Sequence, residues 1–244
     1  MKTRAWYRTA GAWLGLLSLP LAGYYATALW IAASIFIYMV LTISITSGYH
    51  RLFAHGVYTC NRFWHWFFGI MGCVGLSSSP TQWVILHSYH HRYSDTDLDP
   101  HDADWSYFTR LTGRTNLRAN RGAMRLMRDP MHRFLINHSF TVSLIWAIVA
   151  LAFCGPLGLL YLYVLPIGMV LVATGLSTIY THRNGHSIDM PWLEFVIPLC
   201  GEWIHKEHHK KPHLTPYSGG MDLGGQFIEL IRTDGIRSTN RTVS

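Results

Sequence analysis

Three short stretches concentrate imidazole groups. "HRLFAH" holds His50 and His55, "HSYHH" holds His87, His90 and His91, and "HKEHH" holds His205, His208 and His209. With His182 these make nine of the fifteen histidines. On an α-helix, residues i, i+3 and i+4 share one face within about 100°. An H-x-x-H-H turn therefore aims three imidazoles at one region, and its adjacent pair diverges enough to serve two different ions. Nine nitrogens are too many for one metal and about right for two, with room for an exogenous ligand. All-imidazole ligation suits Zn, Cu, Fe or Ni and disfavours Mg or Ca. The zinc-protease helix H-E-x-x-H is absent. A lone histidine at a membrane edge is an ordinary polar residue, but two copies of one spacing are not. His65, His132, His138, His186 and His213 read as interface or loop residues, and His101 as one that orients the second cluster.

The elements that must position these groups are apolar. The chain has 244 residues, half of them hydrophobic and 14% charged, where a soluble domain carries about 25% charged residues. No Lys, Arg, Asp or Glu occurs from Thr9 to His50 or from Phe134 to His182. A membrane-crossing helix needs roughly 20 apolar residues, so each stretch holds a helical hairpin, with Pro20 and Gly23 turning the first and Gly155-Pro156 the second. The expectation is an all-α membrane protein of one domain, 1–244. Four transmembrane helices in two hairpins (about 6–19, 24–47, 134–153 and 157–181) carry a cytoplasmic histidine-rich helical cap, 48–133 and 182–244. The basic start of "MKTRAWYRTAGAWLGLLSLPLAG" also fits a signal peptide, but the apolar run resumes at once as a longer span. With two hairpins all 20 Lys and Arg fall on one side, which the positive-inside rule makes cytoplasmic. The four cysteines form no close pair and no zinc ribbon, as in a reducing compartment, and no nucleic-acid partner is implied. Two shorter apolar runs, "FWHWFFGIMGCVGL" (63–76) and "PWLEFVIPLC" (191–200), are expected to lie at the headgroup level rather than span. If 63–76 spanned, the histidines flanking it would lie on opposite sides of the membrane.

From about Ile43 to Asp234 the chain resembles the integral-membrane fatty acid desaturases of the acyl-CoA/acyl-lipid Δ9 type. "HRLFAH" matches the first box of that family, H-x4-H. "WVILHSYHHRYSDTDLDPH" matches the second, including Trp83 four residues before His87. "GEWIHKEHHKKP" resembles the third, and "THRNG" the family's single histidine followed by x-x-Gly. Two departures stand out: Lys206 replaces a usual Asn, and Thr178 stands four residues before His182 where many members carry an Asn near one metal. The resemblance implies four spans with a cytosolic cap and nine histidines holding two Fe ions, with no catalytic residue beyond these ligands. Its reaction removes two hydrogens from adjacent carbons of a fatty acyl chain and reduces dioxygen at the irons, giving a cis double bond and water. The substrate is carried on CoA, acyl carrier protein or lipid. No C-x-x-C-H or dinucleotide fingerprint is present, and the 35 residues after His209 are too few for a fused cytochrome. The resemblance implies a separate ferredoxin or b-type cytochrome as the electron donor.

Second-sphere carboxylates would orient the imidazoles through their other nitrogen; Asp95, Asp97, Asp99, Glu202 and Glu207 are the candidates, with Thr178 beside His182. Met39, Thr42, Ile43 and Thr46 fall on the His50 face of the second span, with Tyr38 at its edge. By resemblance this region, together with Trp83, forms the acyl pocket. Arginines at 110, 114, 118, 121, 125 and 128 recur with an average gap of 3.6, the helical period. The spacing predicts one helical stripe (Arg110, Arg114, Arg118, Arg121, Arg125, Arg128) that meets membrane lipids or docks an anionic partner, either carrier or electron donor. Two other functions compete. A membrane hydroxylase of fatty acyl, alkyl or sterol substrates shares such boxes, and only the "SDTDLDPH" continuation favours desaturation. A metal transporter would place its histidines within the spans, where these do not lie.

Overall fold

The computed structural model describes residues 6–94, 96, 98–100, 118–183 and 186–235. Helices α1 (Trp6–Leu17) and α2 (Leu19–Tyr24) open the chain. Thr27, in extended conformation, starts α3 (Ala28–Ile43) by accepting a hydrogen bond from Trp30 N. The second apolar segment is thus helical only from Ala28. It then continues past its expected end as a π-helix, Ser44–Ala54, that carries His50 and is capped by His55.

Next come α4 (Arg62–Val74), capped by Asn61, and α5 (Pro80–Tyr93), opened by a reciprocal capping box between Ser79 and Gln82. Beyond α6 (Arg121–Leu126) the long α7 (Pro130–Leu159) begins at Asp129, whose carboxylate accepts from Met131 N. This cap explains why the third apolar segment is helical four residues earlier than its composition announces. A π-segment, Leu160–Val164, leads into α8 (Leu165–Thr181). The rest is a two-residue ribbon of β1 (His182–Arg183) with β2 (His186–Ser187), a 3-10 turn Pro191–Phe195, α9 (His205–Lys210) and α10 (Leu223–Ile231). The fold is helical as expected, with that ribbon as the one sheet among the described residues.

The reversal at Gly155 follows from its backbone. Its φ of 65° is open to glycine at little cost, and Pro156 cannot donate the next helical hydrogen bond. Ser143 Oγ lies 3.0 Å from the Tyr163 hydroxyl, and Trp146 Nε1 donates to Leu162 O at 3.0 Å. Straight helix would hold Ser143 and Tyr163 about 30 Å apart, so the chain doubles back here.

Helix α8 packs against both α1 and α3, and α4 fills the angle between α7 and the π-helix. One core cluster joins Leu41, Ile45, Val170, Leu171 and Trp203, and another joins Tyr49, Phe53, Phe68, Met131 and Leu135. Large apolar side chains face outward along α1, α3 and α7, among them Leu17, Phe36, Ile148 and Phe153. Two helical runs, Ala28–Ala54 and Pro130–Thr181, are long and apolar enough to cross a membrane. Helix α4, at 13 residues, is about 20 Å long and shorter than a bilayer core of about 30 Å. The histidines on its two sides meet at a single centre, so it does not separate them across a membrane. The four cysteines are free.

Candidate metal centre

The first histidine cluster depends on the π-helix. On an α-helix residues five apart diverge by about 140°. In a π-helix the i→i+5 hydrogen bond stacks them on successive turns. His55 N donates to His50 O at 3.1 Å, and the two rings lie 5.0 Å apart. The second cluster uses ordinary helix. His87 and His91, four apart on α5, face each other through Nε2 at 3.0 Å, as His205 and His209 do on α9.

All nine histidines converge, in two groups. His50, His55, His87, His91 and His208 form one, and His90, His182, His205 and His209 the other. Within each group the potential ligand atoms lie within 4.8 Å of one another. Both adjacent pairs, His90–His91 and His208–His209, split between the groups. In the first group Nε2 atoms meet at 2.9 Å (His50–His208), 2.8 Å (His55–His87) and 2.8 Å (His91–His208). In the second they meet at 3.1 Å (His90–His209) and 2.8 Å (His182–His205).

These spacings bear on whether the residues fit a metal. Two nitrogens at right angles on an ion roughly 2.1 Å from each lie about 3.0 Å apart. Several nitrogens, such as those of His87 and His208, face two others at once, so pairwise hydrogen bonds cannot satisfy them all. A cation at the centre of each group would. Burial holds His50, His87, His90, His205 and His208 well below the ordinary imidazole range, and pushes His55 down to about 4. Neutral rings are the form that ligates. The donor set fits two ions of the imidazole-binding kind.

The opposite ring nitrogens are braced. Glu202 Oε1 lies 2.7 Å from His50 Nδ1, and Asp99 Oδ2 lies 2.9 Å from His90 Nδ1. Such acceptors fix the tautomer and raise ligand basicity. Burial pushes Glu202 up to about 8 while the Arg51 guanidinium pulls it down. A cation on His50 would act in the same sense as Arg51. Glu207 plays another part: its carboxylate accepts from Ser218 N and Gly219 N, both at 2.9 Å, and from the Ser218 hydroxyl, so it secures a loop rather than a ring. Asp95, Asp97 and His101 lie outside the described residues.

Sequence reasoning missed three braces. The Tyr217 hydroxyl lies 2.9 Å from His208 Nδ1. Asp189 accepts from Lys206 N at 2.7 Å and Glu207 N at 3.2 Å, capping α9 from outside the box. Asp222 takes both ends of the Arg51 guanidinium at 2.9 Å in a buried pair. Gly201 lets this happen: a Cβ there would lie 2.3 Å from Asp222 Oδ1 and 2.7 Å from Arg51 Nη2, and its φ is +100°. None lies within a histidine box, and the partners stand 9, 17 and 171 residues apart in the chain.

A cavity of about 90 Å³ adjoins both groups, lined by His50, His87, His90, His182 and His205 together with Thr42, Thr46, Trp83 and Thr178. Of the pocket residues expected from sequence, Thr42, Thr46 and Trp83 are there. Tyr38, Met39 and Ile43 do not line it: the Tyr38 hydroxyl donates to Pro198 O, and Met39 and Ile43 pack into the two cores. Ile45 takes their place because the chain changes to π-helical register at Ser44. The Thr178 hydroxyl donates to Thr174 O at 3.0 Å, so it is engaged by its own helix while the side chain borders the cavity beside His182.

Among the described residues, Arg118, Arg121, Arg125 and Arg128 do not share one continuous helix. Asn120, in extended conformation, caps a helix that runs only from Arg121 to Leu126, because its side chain competes for the backbone where the stripe needs continuous helix. Arg118 precedes that cap and Arg128 follows the helix, both exposed, while Arg125 donates to Phe53 O at 3.2 Å. Arg110 and Arg114 lie outside the described residues.

These features define a class: helical proteins in which two imidazole groups meet where long apolar helices end. The fatty acid desaturase family matches residues 25–218, and the chain belongs to that family. It is 30% identical over 203 residues to "Acyl-CoA desaturase 1" of Saccharomyces cerevisiae, covering 73% of this chain and 39% of that protein. It is 25% identical over 211 residues to "sn-1 stearoyl-lipid 9-desaturase" of Anabaena variabilis, covering 80% and 77%. "Stearoyl-CoA desaturase" of Sus scrofa is 24% identical, over 96% of this chain and 71% of its own. The chain thus spans well under half of the yeast relative.

Proposed function

We propose that this chain is an oxygen-dependent fatty acyl desaturase, an oxidoreductase that sets a cis double bond into an acyl chain carried on CoA, acyl carrier protein or lipid. The partition of nine imidazoles, five of them buried and four half-buried, into a group of five and a group of four carries the reading. Each H-x-x-H-H turn contributes to both groups, so neither can be built without the other. His50, His55, His87, His91 and His208 would hold one Fe ion and His90, His182, His205 and His209 the second. When bound, the irons supply dioxygen reduction with two electrons from a separate ferredoxin or b-type cytochrome. Side chains alone cannot break an unactivated methylene C–H bond.

The protein's own residues bind and orient. Glu202 on His50 and Asp99 on His90 keep the ligating nitrogens bare and the rings fixed. The acyl chain would enter the cavity between Thr42, Thr46, Trp83 and Thr178, directly beside both groups. We read the apolar segments 6–19, 24–47, 134–153 and 157–181 as four spans in two hairpins, with the metal centre on the cytoplasmic side. The charge-free sequence, the reversal at Gly155 and the outward apolar residues support this. The names of the relatives favour desaturation over hydroxylation. The test is purification with iron analysis: about two irons per chain, and loss of product formation at preserved expression in His90→Ala and in His208→Ala. Full activity in either variant would remove the assignment.

A further inference from the structure

Tyr217 stands apart from the other braces, being a neutral phenol delivered by the chain beyond the third box. His208 Nε2 faces His50 Nε2 at 2.9 Å and His91 Nε2 at 2.8 Å. That nitrogen must therefore be bare to ligate, and the ring proton belongs on Nδ1, which donates to the Tyr217 oxygen at 2.9 Å. Tyr217 is itself held from two sides and is 3% exposed. Its backbone N donates to Asp222 Oδ2 at 2.9 Å, and the Arg51 guanidinium lies 4.2 Å above its ring. Asp222 in turn grips Arg51, and Arg51 follows His50 directly in the chain.

The contacts close a circuit, His50–Arg51–Asp222–Tyr217–His208. Both histidines at its ends belong to the five-membered group. Among the described residues its hydrogen bonds reach no histidine of the other group. His90 has Asp99 instead, and His205 Nδ1 is buried without a partner.

We propose that Tyr217 is a positioning residue for the five-histidine group alone. The segment from Thr215 to Asp222 would act as a brace that registers the first box against the third. This rests on the reading that each group holds one ion. Losing a ring-nitrogen partner of a metal-ligating histidine costs roughly 10–100-fold in metal affinity, and here the loss should fall on one ion only. Tyr217→Phe removes the hydroxyl while leaving the ring under Arg51 and the Asp222 contacts intact.

The full chain, stripped of metal in detergent, would be titrated with Co²⁺ alone, reading the ligand-field absorption and the thermal midpoint of the metal-free protein. The expected result is two Co²⁺ sites in the wild type. In Tyr217→Phe one site should weaken by about 10–100-fold, with the other site and the metal-free midpoint unchanged. If neither site weakens, Tyr217 only packs. If both weaken together, or the metal-free midpoint falls, its role is general folding. Either result overturns the brace. A wild type that does not bind two Co²⁺ overturns the two-ion reading beneath it instead.

Discussion

Replacing Asp222 by Asn tests how the first box is anchored. Oδ1 accepts from Arg51 Nη2 at 2.9 Å and Gly225 N at 2.8 Å, while Oδ2 accepts from Arg51 Nη1 and Tyr217 N, both at 2.9 Å. Whichever oxygen becomes the amide nitrogen, two donors then face a donor. The Arg51 guanidinium, fully buried, also loses its counter-charge. Breaking a buried pair from one side costs about 3–5 kcal/mol. At about 2–4 °C per kcal/mol for a chain of this size, the thermal midpoint should fall by roughly 6–20 °C. Removing both charges together is a different perturbation. Arg51→Met with Asp222→Asn leaves no unpaired ion and keeps an amide oxygen for the Gly225 or Tyr217 N–H, so the double variant should melt above the single one. The assay is a thermal melt of metal-free protein in detergent for the wild type, both single variants and the double variant. An Asp222→Asn shift below about 2 °C, under the cost of one lost hydrogen bond, would show that Asp222 does not anchor Arg51. So would a double variant that melts below the single.

Three further outcomes follow from other parts of the molecule. Thr42, 1% exposed and lining the cavity, should shift the product profile to shorter chains when replaced by Trp; an unchanged profile in gas chromatography means the acyl chain does not pass it. Charge reversal at the exposed Arg118 and Arg121 should raise the KM for the carrier or electron donor with strong salt dependence; if only vesicle binding falls, these arginines meet lipid instead. Burial, with His65 3.1 Å away, pushes His132 down to about 4. The unfolded chain takes up that proton near pH 6.5 and the folded chain does not. Stability should be complete above pH 6.5 and decline towards pH 4, by up to about 3 kcal/mol. His132→Gln should flatten that part of a melting profile, and an unaltered slope would count against it.

The histidine spacing made the grouping legible: i, i+3, i+4 on a helix fixes where three rings point, and the divergence of adjacent rings is a property of the turn itself. Gly155-Pro156 made the second reversal legible in the same way. The π-helix was not legible, because the choice between i→i+4 and i→i+5 hydrogen bonds is made by packing against α4 and α10 rather than by residue type. That one change of register moved Ile45 into the cavity and Met39 and Ile43 out of it. The braces were legible only where they adjoin a box: Glu202 and Asp99 could be named, but Tyr217 and Asp222 reach the site through tertiary contacts, the latter 171 residues from Arg51. The arginine period was real as a count yet was cut by a single Asn that caps more favourably than it continues.

Acyl desaturation at the two imidazole groups is open to a decisive assay. Total fatty acids would be analysed by mass spectrometry in a host lacking its own desaturase that expresses either the wild-type chain or His208→Ala. A new monounsaturated acyl species with a cis double bond should appear with the wild type alone. A hydroxylated acyl chain in its place, or no new species from a chain that carries its iron, would rule desaturation out.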